Sequence, residues 1–243
     1  MMKRSHIVAV AGAAVLAVIA SVAAAGDEPD QLTSIGLSLV ANSGNSESSS
    51  FGLTAEYKQQ FDPWALKVWG LAIKSSSGGD TTAERYAAAA RGELPFSDAW
   101  TAFAGLSGER DRFAGYNLRG IVEAGAILKY LEGPVHTLSF DAGLTWTRED
   151  VVQGENRDFL GALLGASYGF QFSETSSLTE RLLLYPNFDE SSDWRATSET
   201  SLQASLSATT ALKLAVLFRY DNEPVSGFEK TDTTTMASVV VKF

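Results

Sequence analysis

Few side chains in this sequence could carry out bond-making chemistry. Histidine occurs only at His6 and His136. His6 falls in an N-terminal apolar segment, so one imidazole is left. Cysteine is absent, which excludes disulfides, thiolate metal sites and thiol nucleophiles. A nucleophilic site needs a nucleophile, a base and an orienting group together, and barrel hydrolases of the lipase type need a Ser–His pair. His136 opens a strand beside a short turn and reads as a polar residue at an interface. The acidic residues lack the ordered Asp/Asn/Gly spacing of a calcium loop, and Gly78-Gly79 has no phosphate-loop context. No catalytic residue, metal site or cofactor is expected.

What remains is charge arranged on one face of a repeating pattern. Arg85, Arg91, Glu93, Arg119, Glu123, Lys129, Asp141, Arg195, Glu199, Lys213, Arg219, Asp221 and Asp232 share the polar side of alternating segments, with Lys242 near the end. Basic and acidic members accompany one another. One reading is a charged channel lining that sets ion preference. The other is a set of cross-strand pairs, Arg119 and Glu123 among them, that fills an interior as a polar plug, since isolated buried charges are costly. Both stay open at this point. A second acidic group, Asp80, Glu149, Asp150, Glu155, Asp189, Glu190, Asp193, Glu223 and Glu229, falls in the expected loops. It reads as a solvated rim, or as a binder of divalent ions shared with lipopolysaccharide phosphates.

The elements that position these residues are strands. Period-2 alternation dominates. Leu138, Phe140, Ala142, Leu144 and Trp146 oppose Thr137, Ser139, Asp141, Gly143, Thr145 and Thr147. The same pattern divides the chain into twelve strands, near 31–42, 48–60, 64–74, 82–93, 99–109, 118–130, 136–147, 158–172, 177–185, 194–207, 211–221 and 231–243. The third, fifth and ninth are irregular; Leu182-Leu183-Leu184 breaks alternation outright. Connections after even strands are short, and those after odd strands are mostly longer and polar, as at 148–157, 186–193 and 222–230. Outer-membrane barrels have even strand numbers, short periplasmic turns and longer outer loops. Both termini then fall on the periplasmic side. A soluble sandwich alternates too, but here aromatic residues gather near strand ends (Trp100, Tyr130, Trp146, Phe170, Phe172, Trp194, Tyr220, Phe243). Many strands also reach the roughly 10 residues of a tilted membrane strand.

The two ends of the chain agree with export. Residues 1–25 read as a cleaved signal peptide: Lys3 and Arg4, an uncharged apolar run from Ile7 to Ala20, then Ala23-Ala24-Ala25. Residues 26–243 form one domain. The last strand places Val239, Val241 and Phe243 in alternation and ends on the aromatic residue, which resembles the assembly signal of Gram-negative outer-membrane barrels. No later segment is long and apolar enough for a spanning helix, so a spanning fold must be a closed barrel. A net charge of −10 argues against nucleic acid as a partner, because affinity there comes from basic neutralisation of phosphates.

Four segments carry a resemblance to a known family: Gly44-Asn45-Ser46; Glu109-Arg110-Asp111-Arg112-Phe113-Ala114-Gly115 leading to Arg119; Ser198-Glu199-Thr200; and Lys230-Thr231-Asp232-Thr233. They resemble the salt-induced outer-membrane protein family, catalogued as domain of unknown function 481. The resemblance spans nearly the whole exported chain. It implies an outer-membrane barrel and no particular activity.

The resulting expectation is a twelve-stranded antiparallel transmembrane β-barrel, not an enzyme. It would be a narrow passive channel for ions or small solutes, or else a closed stress-response barrel that stabilises the envelope. Its expected partners are outer-membrane lipid, lipopolysaccharide and, through the C-terminal strand, the barrel-assembly machinery. Oligomeric state is not legible.

Overall fold

The computed structural model describes residues 31–45, 48–77 and 80–243; the expected signal peptide lies outside them. The described chain forms twelve strands: β1 (Gln31–Ser43), β2 (Ser48–Gln60), β3 (Ala65–Ser77), β4 (Asp80–Pro95), β5 (Trp100–Asp111), β6 (Tyr116–Glu132), β7 (His136–Val151), β8 (Arg157–Ser173), β9 (Ser176–Pro186), β10 (Trp194–Ser205), β11 (Thr210–Asp221) and β12 (Thr231–Lys242). Each pairs antiparallel with its chain neighbours, and β1 closes on β12. Closure leaves no unpaired edge, the condition for a sheet in lipid. The start of β1 and the end of β12 lie at the end carrying the short turns, here called the turn end; the opposite end is the loop end.

Alternation turns inside out relative to a soluble protein. Leu37, Leu39, Phe51, Leu106, Leu144 and Leu160 stand exposed on the outer wall. In water each would forfeit about 1.5–3 kcal/mol of transfer free energy, so the wall is built for an apolar solvent. Aromatic residues bound it at both ends. At the turn end, the rings of Phe61 and Trp64 stack with centroids 4.4 Å apart, and those of His136 and Phe170 are 4.9 Å apart. At the loop end, the Trp194 and Tyr220 rings are 5.0 Å apart. Such girdles fit the two membrane–water interfaces.

The irregular strands have physical explanations. In β9, Leu182 and Leu184 face outward while Leu183 lines the interior opposite Gly165 and Thr197. The strand is regular, with apolar residues on both faces. In β3, Leu71 and Ile73 turn inward and pack with Val40, Ala87 and Met236, giving one stretch of the interior wall an apolar lining. β7 continues through Arg148-Glu149-Asp150, which the sequence places in a loop. Pairing persists because Arg148 meets Asp158 and Glu149 meets Arg157 across the strands.

One glycine pair is a packing device. Gly125 and Gly143 face each other on β6 and β7, and a Cβ on Gly143 would come 3.1 Å from the Phe103 ring. Phe103 covers this bare backbone from β5, and the Arg91 guanidinium sits 4.2 Å above the Phe103 ring.

Candidate functional site: the charged lumen

All thirteen charged residues named above lie on the inward face, as their strand registers show. Most of them line a single cavity of about 650 Å³ inside the barrel. Lys213 lies beside it, its Nζ 3.7 Å from Glu199 Oε1. Strand register and the side chains between partners decide which charges meet.

At the loop end, Glu109, Arg119, Glu149 and Arg157 form one cross-strand row of alternating sign over β5 to β8. Opposite charges across strands attract. Glu149 is completely buried and collects three guanidinium groups: Arg119 Nε at 2.8 Å, Arg157 Nε at 2.7 Å and Arg195 Nη1 at 3.5 Å. Asp193, 1% exposed, accepts from Asn187 Nδ2 at 2.9 Å and pairs with Arg157 at 3.2 Å. The expectation that Glu149 and Asp193 belong to a solvated acidic rim is therefore corrected. Both are buried counter-ions for arginines.

Four contacts at this level cross the lumen between β11 and the wall formed by β5 and β6. In a ring of twelve strands, β5 and β11 are diametrically opposed. Arg219 on β11 donates from Nη1 to Glu109 at 2.8 Å and from Nη2 to Asp111 at 3.0 Å, both on β5. Arg85 also reaches Glu109, at 2.8 Å. From β6, Tyr116 donates its hydroxyl to Asp221 on β11 at 2.9 Å, and Arg119 Nη2 lies 3.4 Å from the same carboxylate. The Arg119 guanidinium rests 3.5 Å from the centre of the Tyr116 ring.

Nearer the turn end a second cluster forms. Arg91 donates to Glu123 at 2.5 Å and to Asp141 at 3.2 Å, and Arg181 lies 3.6 Å from Asp141. Glu123 therefore pairs with Arg91 across the strands. The reason is Gly105, which sits between Arg91 and Glu123 in one cross-strand row. With no side chain on β5, Arg91 reaches across to β6. Lys67–Glu93, at 2.7 Å, and Lys129–Glu132, at 3.0 Å, complete the lower ring.

Above the loop-end layer, residues 222–230 between β11 and β12 pass over the mouth. Val225 and Phe228 press on Gly115 in the β5–β6 connection, where φ is +93° and a Cβ would come 2.8 Å from Val225 Cβ. Asn45 anchors the base of this strap. Its backbone N–H donates to Asp232 at 2.8 Å, its side-chain amide donates to the Glu229 carbonyl at 2.9 Å, and its amide oxygen accepts from the Glu229 backbone N–H. Asp232 also lies 3.5 Å from Arg219, so strap and side-chain layer share an anchor.

His136 stands at the turn end with Nδ1 2.8 Å from the Tyr168 hydroxyl and its ring stacked on Phe170. The site residues that the charge-face reading missed are Glu109, Asp111, Tyr116, Arg157 and Arg181. Continuing the alternation of β5 past Ser107 would have placed Glu109 and Asp111 inward. Nothing in the sequence marks Tyr116 as crossing the lumen.

This closed barrel, apolar outside and charged inside, is a porin-type fold. It resembles the NanC porin (TM-score 0.59, 10% identity, covering 86% of this chain and all of that one). It also resembles the translocator domain of the autotransporter NalP from Neisseria meningitidis (TM-score 0.56, 10% identity, 98% and 97% coverage) and the KdgM porin (TM-score 0.52, 10% identity, 86% and 99%). The chain belongs to the family described as "protein of unknown function, DUF481", whose profile matches residues 35–243. The uncharacterized protein YdiY of Escherichia coli (strain K12) is 29% identical over 203 residues, 82% of this chain and 78% of that one.

The segments carrying the family resemblance now have roles. Gly44-Asn45, the run from Glu109 to Arg119 and Lys230-Thr231-Asp232 converge on the loop-end layer and strap. Ser198-Glu199-Thr200 does something different. Ser198 and Thr200 face outward and both donate to the Glu180 carboxylate on the outer wall, while Glu199 faces inward toward Lys213.

Proposed function

We propose that this protein is a narrow, passive outer-membrane channel for ions and small polar solutes, constricted at its loop end. The observation that carries the reading is the charged cavity of about 650 Å³ inside a closed barrel with an apolar exterior. A charge-lined pore sets ion preference through its least neutralised groups. Arg181 is the main candidate, since its side chain is 46% exposed to the lumen and it shares Asp141 with Arg91. Refolded protein in a planar lipid bilayer should give small discrete current steps, and Arg181→Ala should shift ion preference toward cations. Electrical silence of verifiably folded protein, also after the strap is shortened, would favour a closed envelope-stabilising barrel.

The same reading places the turn end and both termini in the periplasm, after cleavage of residues 1–25. Lipid and lipopolysaccharide surround the wall, and the barrel-assembly machinery engages Val239, Val241 and Phe243. Removing Phe243 should then reduce the amount of folded, heat-modifiable protein in outer-membrane fractions; unchanged assembly would argue against that role. Salt-inducible expression, implied by the family resemblance, would appear as a rise in transcript at high external salt, and an unchanged transcript would count against it.

A further inference from the structure

Four of the five tryptophans do what membrane barrels require of them. Trp100, Trp146 and Trp194 face outward near strand ends, and Trp64 stacks on Phe61 in a turn. Trp69 is different. It points inward from β3, level with Glu56 on β2 and Ala89 on β4. It lines the cavity and is 43% exposed there. Among the described residues its indole N–H has no hydrogen-bond partner.

The surroundings of Trp69 suit a particular ligand. Ala87 and Ala89 leave the wall beside the indole low, so its face is open to the lumen. Two ion pairs next to it are closed, Lys67 with Glu93 at 2.7 Å and Arg91 with Glu123 at 2.5 Å, and the Glu56 carboxylate is exposed beside the indole. An anionic ligand would have to break such pairs and face the Glu56 carboxylate. A neutral polyhydroxylated ring would not, because its hydroxyls can donate to the carboxylates and accept from the ammonium and guanidinium groups in place. A pyranose also presents a face of C–H bonds, which packs on an aromatic plane, and ring oxygens within reach of an N–H donor. An apolar plate with a few convergent polar groups is the general form of a small-molecule site.

We propose that Trp69 is the stacking platform of a neutral-saccharide subsite in the lumen, with Lys67, Glu93 and Glu56 as its hydroxyl partners. The subsite rests on the channel reading and names a solute class for it. Maltotriose is the probe. In a planar bilayer it should interrupt the ion current in a concentration-dependent way. Trp69→Ala should weaken the apparent affinity about tenfold, the scale of one lost aromatic contact. Trp69→Phe should keep most of it, and Trp146→Phe, on the outer wall, should change nothing.

A second readout does not need current. In a variant carrying Phe at Trp64, Trp100, Trp146 and Trp194, maltotriose should protect the remaining Trp69 fluorescence from acrylamide quenching. Current that ignores maltotriose, together with unprotected fluorescence, overturns the subsite and leaves the channel standing. Protection in an electrically silent barrel supports the subsite and sinks the channel. Interruption by tetramethylammonium but not by maltotriose would assign the indole face to a cation and overturn the saccharide.

Discussion

Replacing Glu149 by alanine is expected to cost this barrel more stability than any other single change to its lumen, about 3–5 kcal/mol. The carboxylate is completely buried and lies within 2.7 to 3.5 Å of three arginines on β6, β8 and β10. Its removal leaves Arg119 and Arg195 facing each other, with Asp221 and the cross-strand neighbour Glu109 as the carboxylates still near Arg119. The size of the loss reflects uncompensated charge more than the worth of any one pair. Two further variants separate these contributions. Glu149→Gln keeps the shape and one acceptor, and should be less damaging than alanine. Adding Arg195→Ala to Glu149→Ala should recover part of the loss, because it removes one stranded cation; coupling between contacting groups of about 0.5–3 kcal/mol is ordinary. Urea unfolding in lipid vesicles, followed by the loss of heat-modifiable mobility, measures all three. A Glu149→Ala protein as stable as the parent would show that water neutralises the cluster.

The contrast between Glu149 and Glu123 shows what the sequence could disclose. Strand number, the inward face and the apolar wall follow from a period of two, which is local and survives in single residues such as Leu138, Phe140 and Asp141. The thirteen inward charges were legible for the same reason. Glu149 was not, because Arg148-Glu149-Asp150 has no apolar member and reads as a loop. Only the partners Asp158 and Arg157 on β8 show that the strand continues.

Pairing was less legible still. Arg119 and Glu123 share a face, yet Glu123 goes to Arg91 because Gly105 leaves the row between them empty. Arg219 meets Glu109 because closure of twelve strands puts β11 opposite β5. Neither a gap left by a glycine on the intervening strand nor a meeting across a diameter is written in local spacing. Trp69 was hidden in the same way: β3 carries apolar residues on both faces, so the alternation could not say which way the indole points.

The crossing contacts make the second large prediction, an increase in conductance. Two layers narrow the loop end. The lower is Arg219 spanning from β11 to Glu109 and Asp111, with Tyr116 and Arg119 reaching Asp221 from the other wall. The upper is the 222–230 strap pressed on Gly115 and pinned by Asn45. A constriction dominates the resistance of a pore, so widening the rest of the barrel should matter little while removing these layers should matter greatly. Arg219→Ala opens the lower layer alone and should raise conductance modestly, since the strap still covers it. Replacing residues 223–229 by a short Gly-Ser turn opens only the upper layer. The two together should raise single-channel conductance several-fold, and by more than either change adds separately, because two constrictions in series mask each other. Asn45→Ala, which unpins the strap without shortening it, should give flickering between narrow and wide levels. If the combined variant folds and conducts no better than the parent, the constriction lies elsewhere and the Arg91–Glu123–Asp141 cluster nearer the turn end becomes the place to look.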